Sequence, residues 1–167
     1  MPEMYSFFYN GHEFPGYPDK SPEQFADIYY GALVPWYQIH YRNIESFRRD
    51  GQRTAIGLEG NSSVEQDWGT GQYRVTVNGA EVAKDGDTYC PVGEDRVAFY
   101  SRTGRRLSAP LPGGWKADEV VGRALLADRS EAVKVSASGG KIAVDVPAMR
   151  PMMVFRDGAA EKKAMRE

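Results

Sequence analysis

The hydrophobic period of this chain changes once, just after Gly51, and that change limits what it can fold into. Before it, Phe25, Ile28, Tyr29 and Ala32 recur at helical spacing, and Tyr37, Tyr41, Ile44 and Phe47 form a second helical stripe. From Thr54 onward the period is two. Thr54, Ile56 and Leu58 alternate, as do Tyr73, Val75 and Val77 against Gln72, Arg74 and Thr76. A helical, aromatic leader followed by short strands predicts a mainly β protein, an antiparallel β-sandwich preceded by a strand and two helices.

The leader opens with Met4-Tyr-Ser-Phe-Phe-Tyr9, an apolar run of strand length ended by Asn10-Gly11. Turn signals follow at Pro15-Gly16 and Pro18-Asp19. Ser21-Pro22-Glu23-Gln24 then carries a complete helix start, with a capping serine, a proline at the first helical position and a glutamine to close a capping box. Gly31 and Pro35 are expected to break this helix, and Pro35 to begin a second one that stops at Asp50-Gly51.

In the β region Asn78-Gly79 is the clearest hairpin signal. Arg96–Ser101 reads as a strand, and Leu107–Leu111 as an edge strand because Pro110 and Pro112 exclude a central position. Residues 120–127 fit either a strand or a short helix. Val133–Ala137 and Ile142–Val146 alternate around Gly139-Gly140, and Met152–Phe155 closes the set. The expected units are 1–51, a terminal β/α element of an incomplete barrel; 52–157, the sandwich; and 158–167, a polar frayed tail.

Composition removes several function classes. A formal net charge of −2 with mixed signs gives no basic block for nucleic acid. No apolar run has the ~20 residues needed to cross a membrane, and no signal peptide is visible, so the compartment is left unassigned. Cys90 is the only cysteine and forms no internal disulfide; it reads as a partly buried strand residue. His40 reads as a packed histidine within a helical stripe. The acids of Leu58–Trp68 lack the order of a calcium loop and read as a bend between strands. The glycines mark hairpins rather than a phosphate loop, so neither cofactor nor metal is expected.

The remaining chemistry lies after the first strand. Tyr9, Asn10, His12, Glu13 and Tyr17 would stand together where a barrel strand meets its loop, the place where barrel enzymes keep their sites. Aromatic rings beside amide, imidazole and carboxylate groups suit a sugar. Only one plausible rim carboxylate is present, whereas glycoside hydrolysis ordinarily uses two, so no catalytic residue is assigned. Trp68, Trp115 and Tyr100 could make a carbohydrate-binding face on the sandwich, although at least two of them suit the core better.

Met4–Phe14, with the segment Tyr30-Gly-Ala-Leu-Val-Pro-Trp36, resembles a late barrel strand and the helix pair after it in bacterial glycoside-hydrolase-like proteins. Gly79-Ala-Glu-Val-Ala83 through Phe99-Tyr-Ser101, and Val144–Phe155, are similar to the antiparallel C-terminal domain of such enzymes, those related to endo-α-N-acetylgalactosaminidases being the nearest group. The resemblance implies the C-terminal part of a carbohydrate-active enzyme, with glycan met through the parent enzyme and the chain by itself inactive. It also implies self-association through exposed helix faces. The competing expectation is a stand-alone β-sandwich module that binds carbohydrate or protein.

Overall fold

The computed structural model describes residues 21–126 and 129–165. Among them are thirteen strands in two antiparallel sheets and a small helical share, a mainly β, sandwich-like fold. The strand expected at residues 4–9 lies outside the described residues.

The capping box forms as the sequence predicts. Ser21 Oγ accepts from Gln24 N at 3.3 Å, and Gln24 Oε1 accepts from Ser21 N at 2.9 Å. Helix α1 (Pro22–Ile28) does not break at Gly31 or Pro35. It widens into a π-helical segment, Tyr29–Leu33, and continues as α2 (Val34–Tyr37). Proline has no N–H for the carbonyl one turn back. In α-helical register that carbonyl belongs to Gly31, and in π register to Tyr30. Both are taken by the sheet instead: Tyr73 Oη donates to Gly31 O at 2.7 Å and Thr88 Oγ1 to Tyr30 O at 2.8 Å.

The second helix is much shorter than its stripe suggested. Residues Ile44–Asp50, expected to be helical, form strand β1, joined by the tight turn Gly51-Gln52 to β2 (Arg53–Leu58). The bend expected across Leu58–Trp68 is confined to Glu59–Asn61, and β3 (Ser62–Asp67) follows at once. The meander continues with β4 (Tyr73–Val77), β5 (Ala80–Lys84), β6 (Asp87–Val92) and β7 (Arg96–Ser101). Asn78-Gly79 makes the predicted hairpin, both residues holding positive φ, 50° and 80°.

The remaining strands are β8 (Arg105–Pro110), β9 (Val121–Leu125), β10 (Ser130–Val133), β11 (Ser136–Ser138), β12 (Lys141–Val146) and β13 (Met152–Phe155). The large sheet runs β1-β2-β3-β4-β5-β6-β7-β13-β9-β10, and the small one β11-β12-β8, with β8 on its edge as Pro110 required. Two expectations fail here. Val133–Ala137 is not one strand; it leaves the large sheet after Val133 and enters the small one at Ser136. The end of the chain is not frayed from Gly158; it forms helix α3 (Gly158–Ala164), capped by Asp157, which accepts from Ala159 N and Ala160 N.

Two cores lie on opposite faces of the large sheet. Val97, Phe99, Met152 and Val154 point to the small sheet and meet Leu107, Ile142 and Val144. Ala98, Met153 and Phe155 point the other way, to a core shared by Val34, Ile39, Val64, Val75 and Ala160. Strands β7 and β13 are thus covered on both sides, which is why they read as unbroken apolar runs rather than alternating ones. Strands β2–β5 extend beyond the small sheet with one face in water, and β1 at the edge is exposed on both faces.

Candidate functional site

The sequence-predicted rim, Tyr9, Asn10, His12, Glu13 and Tyr17, lies outside the described residues. What the structure supplies is the surface beside it in the chain. The helical run buries Ala26, Leu33 and Val34 and turns the other way with Tyr29 and Tyr37, which are exposed. Phe25 stacks on Tyr29 with centroids 6.1 Å apart and an interplanar angle of 6°. His40 stands edge-on between Tyr37 and Tyr41, and its Nδ1 lies 3.1 Å from Tyr37 O. It is hydrogen-bonded as expected, but it is exposed and lies in the turn after α2 rather than within a helical stripe.

This helical face is fixed to the sheet by a polar clasp. Arg102 donates from Nε and Nη2 to Asp27 at 3.0 and 3.1 Å, a bidentate geometry, and Tyr100 Oη donates to Asp27 Oδ1 at 2.9 Å. The carboxylate in turn holds the Arg102 guanidinium above its ordinary pKa. Gly31 lets the helix approach: a Cβ there would sit 3.1 Å from Asp27 Oδ1 and 3.2 Å from the Tyr100 ring.

A second surface is the water-facing side of β1–β5, a shallow open groove of about 580 Å³. Register places Arg48, Ala55, Glu65, Arg74 and Lys84 in one row across the strands. Opposite charges meet along it and beside it: Arg53–Asp67 at 3.1 Å, Arg74–Glu65 at 3.8 Å and Arg74–Glu81 at 2.8 Å. Tyr89 Oη donates to Glu81. Asp67 is held below the usual carboxylate range by the Thr70 N–H, then by Arg53 and the Gly69 N–H. A glycosidase acid needs the opposite, a carboxyl kept protonated by its surroundings. Asp50, Glu65 and Asp67 of the groove are ion-paired with arginine and Asp85 accepts from Tyr73 N at 2.9 Å, a pattern suited to solvation rather than proton transfer.

The three rings weighed as a binding face do not form one. Tyr100 is fully buried, and Trp115 is buried with Nε1 donating to Glu94 O at 3.3 Å. Trp68 alone is exposed, its Nε1 bonded to Thr54 Oγ1 at 3.0 Å. Cys90 is fully buried, and burial pushes its thiol up to about 12. Among the described residues no cluster of three or more histidine, cysteine or acidic groups could hold a metal, and no helix is long and apolar enough to cross a membrane.

No family model and no curated protein sequence matches the chain. Among solved structures, the catalytic domain of GH30 xylanase C from Talaromyces cellulolyticus is similar over 62% of this chain and 20% of that one, at 12% identity and a TM-score of 0.28. The chain spans about a fifth of that structure's length, and a likeness this slight carries no argument about function.

Proposed function

We propose that this chain is an accessory β-sandwich of a carbohydrate-active, glycoside-hydrolase-like enzyme. In this reading its helical face seats against a catalytic barrel, and Tyr9, Asn10, His12, Glu13 and Tyr17 contribute one rim of the glycan cleft. The observation that carries it is the aromatic surface of Tyr29, Tyr37 and Tyr41, which is exposed while the same helical run is clasped to the sheet through Asp27 and Arg102. A helix held that firmly presents Tyr29 and Tyr37 as a rigid surface, with Tyr41 in the turn that follows, and exposed rings of this kind mark an interface. The sequence resemblance of Met4–Phe14 and Tyr30–Trp36 to a barrel strand and its helices supports the choice of partner. The ion-paired groove fits a supporting role, because Glu65 and Asp67 are already paired with arginine.

Two assays on the chain by itself test the reading. Aryl glycosides and glycan oligosaccharides should show no turnover, and an apolar dye should bind in a manner weakened by Tyr29→Ser, Tyr37→Ser and Tyr41→Ser together. Turnover by the chain alone, or dye binding indifferent to those substitutions, would overturn it.

A further inference from the structure

The large sheet has two open edges among the described residues, and they are built differently. At one end β10 has four residues, the short edge expected of a strand that must not recruit another. At the other end β1 has seven, more than any other described strand, and every one of them is exposed. It carries two large apolar side chains in water, Ile44 at 67% and Phe47 at 64% exposure. A long, exposed edge strand is a template for a further strand, and the four charged residues of β1, Glu45, Arg48, Arg49 and Asp50, limit which strand it accepts.

Phe47 is also the unfinished end of a row. Register aligns it with Ile56, Val64 and Val75, and the last two are buried beneath the helical layer. Hydrogen-bonded and open pairs alternate along an antiparallel ladder. Counted back from the two-residue turn at Gly51-Gln52, that alternation turns the main-chain groups of Phe47 and Arg49 away from β2, toward the open side.

We infer that β1 pairs antiparallel with β1 of a second copy about a two-fold axis at Phe47, joining two large sheets edge to edge. The sequence Ile44-Glu-Ser-Phe-Arg-Arg-Asp50 is complementary to itself in that register. Phe47 meets Phe47 of the partner subunit, and Arg49 of the partner subunit faces the β-bulge at Glu45 twice, once on each side of the axis. Arg48 has its own acid, Asp50 at 4.0 Å, so its charge is partly offset before pairing. Arg49 donates only weakly to Gly51 O at 3.4 Å, a contact that a facing carboxylate would replace. This pairing uses the sheet edge, not the helical face, and does not depend on the role proposed for that face.

Charge exchange tests it on the whole chain by sedimentation velocity over a dilution series. The unaltered chain should show a monomer–dimer equilibrium. Glu45→Arg or Arg49→Glu alone should weaken the dimer roughly tenfold, since each sets like charges opposite one another twice. The double variant E45R/R49E should restore self-pairing, and the two single variants mixed should form a heterodimer. Far-ultraviolet circular dichroism checks that all are folded. A strictly monomeric chain, or a dimer that ignores these exchanges but responds to Tyr29→Ser, Tyr37→Ser and Tyr41→Ser, overturns the proposal. So does a complex formed only with an unrelated peptide strand.

Discussion

The phenol of Tyr73 donates a 2.7 Å hydrogen bond to the carbonyl of Gly31, forty-two residues earlier in the chain. That carbonyl is open because Pro35, four residues on, has no N–H to offer it. Thr88 serves the neighbouring carbonyl of Tyr30. A defect in the helix is thereby turned into a link between helix and sheet.

Removing the phenol leaves a partly buried carbonyl unsatisfied. Tyr73→Phe should cost about 1–3 kcal/mol, a fall in Tm of roughly 3–10 °C for a chain of this size, measured by differential scanning calorimetry. Pro35→Ala restores an N–H to the helix, so the cost of Tyr73→Phe should shrink in that background. A double-mutant cycle with no coupling would show that the two residues do not share the Gly31 carbonyl.

Two glycines with similar backbone conformation should respond differently to alanine. Gly51 has φ +57° with open space around its missing Cβ, so Gly51→Ala carries only the conformational cost of about 1 kcal/mol. Gly104 has φ +76°, and a Cβ there would lie 2.7 Å from the backbone nitrogen of Ala148. Gly104→Ala should therefore be the more destabilising of the two by chemical denaturation. Equal losses would mean that the Ala148 segment yields freely.

At alkaline pH the fold should weaken through its buried acids. Burial raises the Cys90 thiol from 9.0 to about 12 and the Tyr30 phenol from 10.0 to about 12. The folded state holds these protons more tightly than the unfolded chain does. The stability they contribute is complete below pH 9 and is lost as pH rises from there toward about 12. Cys90→Ala should flatten the Tm-against-pH curve over that window. In native buffer at about pH 8, a little below the ordinary thiol range, the thiol should react with a disulfide reagent only as fast as the chain opens. Prompt labelling would place it nearer the surface.

On the acid side the relevant group is Asp157, which caps α3. The Ala160 N–H, then Arg156 and the Ala159 N–H, hold its carboxyl below the ordinary 3.8. A depressed folded pKa gives stability that is present above 3.8 and fades as pH falls through the lowered value. Asp157→Asn should remove that acid dependence while still capping the helix, and Asp157→Ala should loosen Ala160 and Ala164 from their core. Circular dichroism against pH, with hydrogen exchange over residues 158–164, distinguishes the two.

Much of this was legible in the residues, and the misreadings have physical causes. The helix start at Ser21 and the hairpin at Asn78-Gly79 depend on local chemistry that tertiary contacts seldom override, and both formed. Ile44–Asp50 misled because an edge strand exposed on both faces needs no alternation, while Tyr37, Tyr41, Ile44 and Phe47 happen to fit a helical stripe. Val133–Ala137 alternates evenly, and alternation does not say that a strand changes sheets partway. Helix α3 has its signal in Asp157, obscured by Gly158 and by the shortness of the helix. Phe25 and Tyr29 were expected on the helix's apolar stripe, whereas Tyr30, Leu33 and Val34 carry its packed side. Of the candidate site, the rim from Tyr9 to Tyr17 lies outside the described residues, and the exposed rings after it in the chain became visible only once the packed side was known.

Strand β7 sends Val97 and Phe99 into one core and Ala98 and Tyr100 toward the other, with none of the four exposed. The layers on either side therefore cannot separate independently, because parting one from β7 uncovers side chains whose neighbours in sequence anchor the other. Heating should produce a single heat-absorption peak rather than a peeling of layers. The amides of residues 97–100 should be among the last to exchange with solvent deuterium, reporting the opening of the whole rather than of either face.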